Sequence, residues 1–162
     1  MDSDGLRRIH IRVQREAFDL SAEVADLRAG DAGVGAVCTF VGTVRDRHED
    51  QGVSALVLEH YPGMTEKAIL AMVEAAGLRF GIRSASVIHR VGPLAPLDPI
   101  VLVAVSAAHR GEAFAACEFL MDHLKTQAPF WKKETLPDGT ARWVDAREID
   151  DTALSRWSRT AG

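Results

Sequence analysis

Cysteine is scarce in this 162-residue chain: Cys38 and Cys117 are the only two, both inside apolar stretches and far apart in sequence. That spacing excludes a disulfide framework and a cysteine-based zinc site, and it fits two reduced thiols packed in a core. Long hydrophobic runs are missing too. The longest, Ile100 to Ala108, falls far short of the roughly 20 residues of a membrane-spanning helix, and the N-terminal MDSDGLRRIHIRV has no apolar signal core. No membrane insertion or export is expected, and the cytoplasm is the expected location.

An excess of positive charge is also lacking. Lys plus Arg number 19 against 23 Asp plus Glu, a formal net charge of −4. This gives no electrostatic case for gripping nucleic acid or an anionic membrane. Small anions stay open as ligands, because a local cluster of cations can hide inside an acidic total. The chain has no glycine-rich phosphate loop ending in Lys-Ser/Thr and no G-x-S-x-G elbow. Its six histidines are scattered singly, so no metal site is expected.

What is present is ordinary globular composition, 47% hydrophobic and 26% charged, in a length suited to one core. Ile9 to Val13 alternates in the strand period, and Phe18 to Leu27 reads as a short helix with Ser21 near its start. Val34 to Val44 is a strand whose Gly35 and Gly42 point to a bulge or a close backbone approach. Arg45 to Gly52 is polar throughout and reads as a solvated loop. Val53 to Tyr61 is a further strand. Met64 to Leu78 reads as a helix with a stripe at Met64, Ala68, Ala71, Met72, Ala75 and Leu78.

Ser84 to Arg90 is the next strand, and VGPLAPLDP reads as loop because three prolines deny a ladder its donors. Ile100 to Ala107 is apolar on both parities, as a central strand covered on both faces would be. Gly111 to Thr126 reads as a second long helix with Phe114, Cys117, Leu120, Met121 and Leu124 on one side, stopped by Pro129. Phe130 to Thr135 and Ala141 to Val144 flank the turn Pro137-Asp138-Gly139 as a hairpin. The expectation is a single α+β domain over residues 9–147, with a flexible N-terminus at 1–8 and a loosely ordered tail at 148–162.

The cations fall at element ends. His109 and Arg110 precede a helix, where free N–H groups and the dipole favour an anion. Lys125 closes that helix, Lys132, Lys133 and Glu134 follow a Pro-Phe-Trp corner, and Arg45 begins the polar loop. Plainer explanations exist for each. The dipole alone favours a lysine in a last turn, a Lys-Lys-Glu run can be a solvated strand edge, and His109 can simply cap a helix. His89-Arg90 ends another strand, so spacing alone does not choose between the two His-Arg pairs.

The segments TFVGTVR (Thr39 to Arg45), LEHYPGMTEKA (Leu58 to Ala68), VIHRVGPL (Val87 to Leu94) and SAAHRGEAFAACEFLMDHLKTQAPFWKKE (Ser106 to Glu134) closely resemble the catalytic, large subunit of molybdopterin synthase. The likeness runs from about Ile9 to Asp145 in the same order. It implies an α/β-hammerhead-like α+β fold with an added β-hairpin subdomain. It also implies a homodimer that carries a small ubiquitin-like sulfur carrier on each subunit, as a heterotetramer. The carrier's C-terminal Gly-Gly thiocarboxylate would deliver sulfur twice to cyclic pyranopterin monophosphate, making molybdopterin. No cofactor is implied in this subunit.

Carried onto this sequence, the resemblance makes Lys125 and Lys132 catalytic. It makes Thr43, Val44, Arg45, His109, Arg110, Lys125, Lys132, Lys133 and Glu134 the residues that bind substrate. Guanidinium groups match phosphate oxygens, and neighbouring cations favour the neutral amine of a lysine. Thr43 and Val44 would offer backbone contacts, Lys132 would hold the carrier terminus, and Glu134 would orient a lysine. One departure is Leu97, where a turn glycine is expected; it is expected to touch the loop rather than the site. Cys117 has no sulfur-carrying role. The alternative reading is a non-catalytic module binding a ubiquitin-like partner or a phosphorylated metabolite. A phosphoryl-transfer or hydrolytic enzyme is disfavoured by the lack of carboxylate pairs and metal ligands.

Overall fold

The computed structural model describes residues 6–48, 51–144 and 148–158. Strand β1 (Arg8–Gln14) leads to α1 (Leu20–Arg28) and β2 (Ala36–Thr43), and a short ribbon of β3 (Arg47–His48) and β4 (Gln51–Gly52) follows. Next come β5 (Ala55–His60), α2 (Met64–Phe80), β6 (Ser84–Arg90), β7 (Gly92–Leu94) and β8 (Pro99–Ala107). The chain ends with α3 (Arg110–Gln127), β9 (Phe130–Thr135), β10 (Ala141–Val144) and α4 (Glu148–Ser158).

The strands form two four-stranded sheets, ordered β1-β6-β8-β2 and β10-β9-β5-β7. In the first, β1 runs parallel to β6 and the other neighbours are antiparallel. Strand β8 is buried from Val101 to Ala107. Its Val101, Val103, Val105 and Ala107 pack under α2 and α3, while Leu102 and Ala104 meet Leu27 of α1 on the other face. A strand apolar on both parities is thus covered on both faces. The fold is the α+β arrangement the sequence leads one to expect, and the expected hairpin supplies two strands of the second sheet.

Gly35, just before β2, and Gly42 within it both act as read. A Cβ at Gly35 would lie 2.1 Å from the Ala108 carbonyl oxygen, and the ladder register shifts between Gly42 and Thr43. Helix α1 is capped by Asp19, whose carboxylate accepts from the Ala22 N–H, and Ser21 lies in its first turn.

Four expectations need correcting. Helix α2 buries Thr65, Ile69, Met72, Val73 and Ala76, so its inner stripe is rotated from the expected one; Met64 and Leu78 are 58% and 91% exposed. Phe114 likewise points outward at 64% exposed, since Ala113, Ala116, Cys117 and Leu120 fill the inner face of α3. Within VGPLAPLDP, Gly92–Leu94 forms a strand on β5. It is an edge strand, where a proline can leave its missing N–H on the open side.

The last correction concerns the tail after Arg147, which contains α4. Trp157 packs edge-on against Phe80 and Phe119, and its indole Nε1–H donates to Asp122 at 2.6 Å. At the other end, Leu6 packs on the core, the Arg7 N–H bonds the Arg83 carbonyl, and β1 begins at Arg8; residues 1–5 lie outside the described residues. Among the described residues no helix is long and apolar enough to cross a membrane.

Candidate active site

Helix α3 ends at Gln127 because Ala128, at ψ 132°, has left the helical region ahead of Pro129. Lys125 is left in the last turn, where the dipole favours its charge. The corner that follows is tied down by one hydroxyl. Buried Thr65 donates through Oγ1 to the Pro129 carbonyl at 3.0 Å and accepts from the Tyr61 N–H at 3.0 Å. This joins the start of α2 to the start of β9.

Strand alternation then sorts the Lys-Lys-Glu run. Lys132 and Glu134 face a cleft of about 290 Å³, at the small end of ligand sites, while Lys133 is not among its lining residues. Lys133 instead lies on the outer face, its Nζ 5.7 Å from the Trp143 ring centroid. Glu134 is buried and accepts from Arg142 across the hairpin at 3.2 Å, so its carboxylate answers an arginine.

The end of β2 supplies the opposite wall. Thr43, Val44, Arg45 and the unforeseen Arg47 line the cleft, over an apolar floor that includes Leu58, Leu124 and Phe130. Val44 has both backbone groups engaged: its N–H donates to the Asp98 carbonyl and its carbonyl accepts from the Leu97 N–H, each at 2.9 Å. Both backbone groups are thus already used, and the side chain, on the cleft wall, packs with Leu56, Leu58, Val91 and Leu94. The same bonds place the Leu97 turn directly behind the cleft wall, closer to the site than the sequence suggests. Leu97 has φ 81°, the lone positive φ outside glycine among the described residues.

His109 and Arg110 are not in this cleft. They sit at the start of α3, and Lys125 is in its last turn, fifteen residues after Arg110 and roughly 22 Å away at 1.5 Å per residue. Within one subunit the structure thus joins Arg45, Lys125, Lys132 and Glu134 and sets the His-Arg pair at the far end, exposed beside the start of β2. Among the described residues no group of three or more His, Cys, Asp or Glu is placed to hold a metal. Buried Cys117 has its thiol pushed up to about 12, by burial first and then by neighbouring Cys38, which keeps it protonated and unreactive.

The family described as MoaE protein matches residues 13–127. The chain belongs to this family. It is 63% identical over 147 residues to the molybdopterin synthase catalytic subunit of Ralstonia nicotianae, covering 91% of this chain and 83% of that one. A solved molybdopterin biosynthesis MoaE protein from Burkholderia ambifaria superposes with a TM-score of 0.80 at 59% identity, covering 93% and 98% of the two chains. The fold also matches a Helicobacter pylori protein, solved as a complex of subunits 1 and 2 of molybdopterin-converting factor. That match has a TM-score of 0.66 at 20% identity and covers 85% and 90%.

In this MoaE-family cleft the residue least visible from sequence is His89. It lines the cleft beneath Lys125 and Lys132, stacked on Phe130 with ring centroids 3.8 Å apart. A strand-end histidine identical in pattern to others gave no sign of that placement. The signal that could have found it is the parity of β6, which puts His89 on the same face as the core residues Val87 and Ala85.

Proposed function

We propose that the cleft is the sulfur-transfer site of a molybdopterin synthase catalytic subunit. The thiocarboxylated C-terminus of a small ubiquitin-like carrier enters it and gives sulfur, in two rounds, to cyclic pyranopterin monophosphate. In each round the thiocarboxylate sulfur bonds to a substrate carbon as that carbon's bond to oxygen breaks, the oxygen leaving as water or staying on the opened phosphate ester. Water then cleaves the carbonyl–sulfur bond, leaving sulfur on the substrate and a carboxylate on the carrier. Lys125 serves as the reactive amine, and Lys132 neutralises the oxyanion that develops at the carrier carbonyl. Arg45 supplies a planar, permanently charged partner for the phosphate. The chemistry draws on protein side chains alone, with no metal in this subunit.

The observation that carries the reading is the convergence of Lys125 and Lys132, from a helix end and a strand, on one cleft with Arg45. The remoteness of His109 and Arg110 fits a homodimer. Strand β2 is an open sheet edge, and its start lies beside the end of β8: the Gly35 N–H bonds the Ala107 carbonyl. Two copies pairing β2 antiparallel about a two-fold axis bring the start of one strand to the end of the other. Each cleft then receives the His-Arg pair of the second copy.

The deciding experiment incubates the purified protein with thiocarboxylated carrier and cyclic pyranopterin monophosphate, and measures the dithiolene product. Product formation is expected. Binding of both without turnover would instead favour the non-catalytic module.

A further inference from the structure

His89 is fixed on two sides. Its ring stacks on Phe130 at an interplanar angle of 20°, and its Nδ1 lies 2.8 Å from the Arg90 carbonyl oxygen. A carbonyl can only accept, so Nδ1 carries the hydrogen. The ring is partly buried against Phe130, and Lys125 from α3, Lys132 from β9 and His60 from β5 all oppose a positive charge on it, against the Arg90 carbonyl, which favours one. Burial chiefly, with those cations, lowers its pKa to about 4, so near neutrality the imidazole is uncharged. Its Nε2 then carries a lone pair that can accept a hydrogen bond.

This acceptor stands in a cleft of donors. Arg45, Arg47, Lys125 and Lys132 offer only N–H groups, the Glu134 carboxylate already answers Arg142, and the Thr43 hydroxyl is at an exposed rim. Cations of this kind read phosphate and carboxylate oxygens. None of them can read an N–H or O–H on a ligand.

We propose that His89 is a specificity-determining residue of the cleft, its Nε2 accepting a hydrogen bond from an N–H or O–H of the heterocyclic part of the substrate while the cations hold the phosphate. The proposal rests on the functional reading above and adds the group that recognises the ring rather than its charge. A ligand that covers this acceptor without offering a donor would strip it of water and leave it unpaired, which is how such sites reject near-isosteres.

The test uses the assembled enzyme with thiocarboxylated carrier and cyclic pyranopterin monophosphate, and compares wild type, His89→Phe and His89→Gln. Phenylalanine keeps a flat ring against Phe130 and removes the acceptor; glutamine restores one. His89→Phe is expected to raise KM for the pterin about tenfold or more, with kcat within about threefold and carrier affinity unchanged, and His89→Gln to recover most of the loss. Wild-type KM is expected to stay flat from pH 8 to 6 and to rise as the ring takes up a proton near pH 4 to 5. An unchanged KM in both variants would overturn the proposal. So would equal losses in both that track a fall in Tm, since packing alone would produce them. A wild-type enzyme that makes no product with competent carrier would refute the functional reading itself, a separate outcome.

Discussion

Asp31 and Arg83 hold each other through two parallel hydrogen bonds of 2.8 Å, Nε to Oδ2 and Nη2 to Oδ1. The pair ties the loop after α1 to the entry of β6, and the Gly33 N–H adds a third bond to the same carboxylate. The Arg83 guanidinium is the main reason the Asp31 carboxyl is held down at about 2. A carboxyl whose folded pKa lies below its unfolded value of about 3.9 adds stability that is complete above that value and is lost as pH falls toward the folded one. Asp31→Asn is therefore expected to unfold at lower urea than wild type at pH 7, with the gap closing between pH 4 and 2. A gap that persists at pH 2 would contradict the ion-pair explanation.

Leu97 occupies a left-handed turn position that suits glycine, with its side chain 87% exposed and no packing to lose. Leu97→Gly is expected to stabilise the fold by about 1 kcal/mol, seen as a Tm higher by a few degrees. Because the Leu97 N–H bonds the Val44 carbonyl behind the cleft, the same variant should keep that wall in place and leave turnover unaltered.

The Thr65 hydroxyl bridges two corners and is fully buried. Thr65→Val keeps the volume but leaves the Pro129 carbonyl and the Tyr61 N–H without a partner. A loss of about 1–3 kcal/mol is expected by denaturant titration. Since the corner sets the start of β9, turnover should fall further than the unfolded fraction accounts for, and thermal melts run beside assays would separate the two effects.

Lys125 is exposed at a helix end with little packing of its own. Lys125→Ala is expected to cut product formation at least about a hundredfold, while Tm and carrier affinity stay within error of wild type. Near-normal product would remove Lys125 from the chemistry.

The sequence made β6, β8, β9 and β10 legible because β-branched runs, alternation and a Pro-Asp-Gly turn are local signals. The inner face of α2 was not, because Thr65 and Ala76 take buried places while longer Met64 and Leu78 overhang the ends. Helix α4 stayed hidden for a different reason: Trp157 is held by Phe80, Phe119 and Asp122, partners distant in sequence. At the cleft, Arg45, Lys125, Lys132 and Glu134 were readable as charges at element ends. That Lys133 turns away follows from strand parity, and that His109 and Arg110 stand apart follows from the length of α3. His89 owes its character to burial and stacking, which residue type and spacing do not carry.

The length of α3 has a consequence for genetics as much as for chemistry. If each cleft takes Lys125 from one chain and Arg110 from the other, then two inactive proteins, Lys125→Ala and Arg110→Ala, can rescue each other when dissociated and reassociated together. Half of the resulting pairs are mixed, and each mixed pair has one cleft carrying both lesions and one carrying neither, so about a quarter of the wild-type rate should return. Neither variant would recover alone.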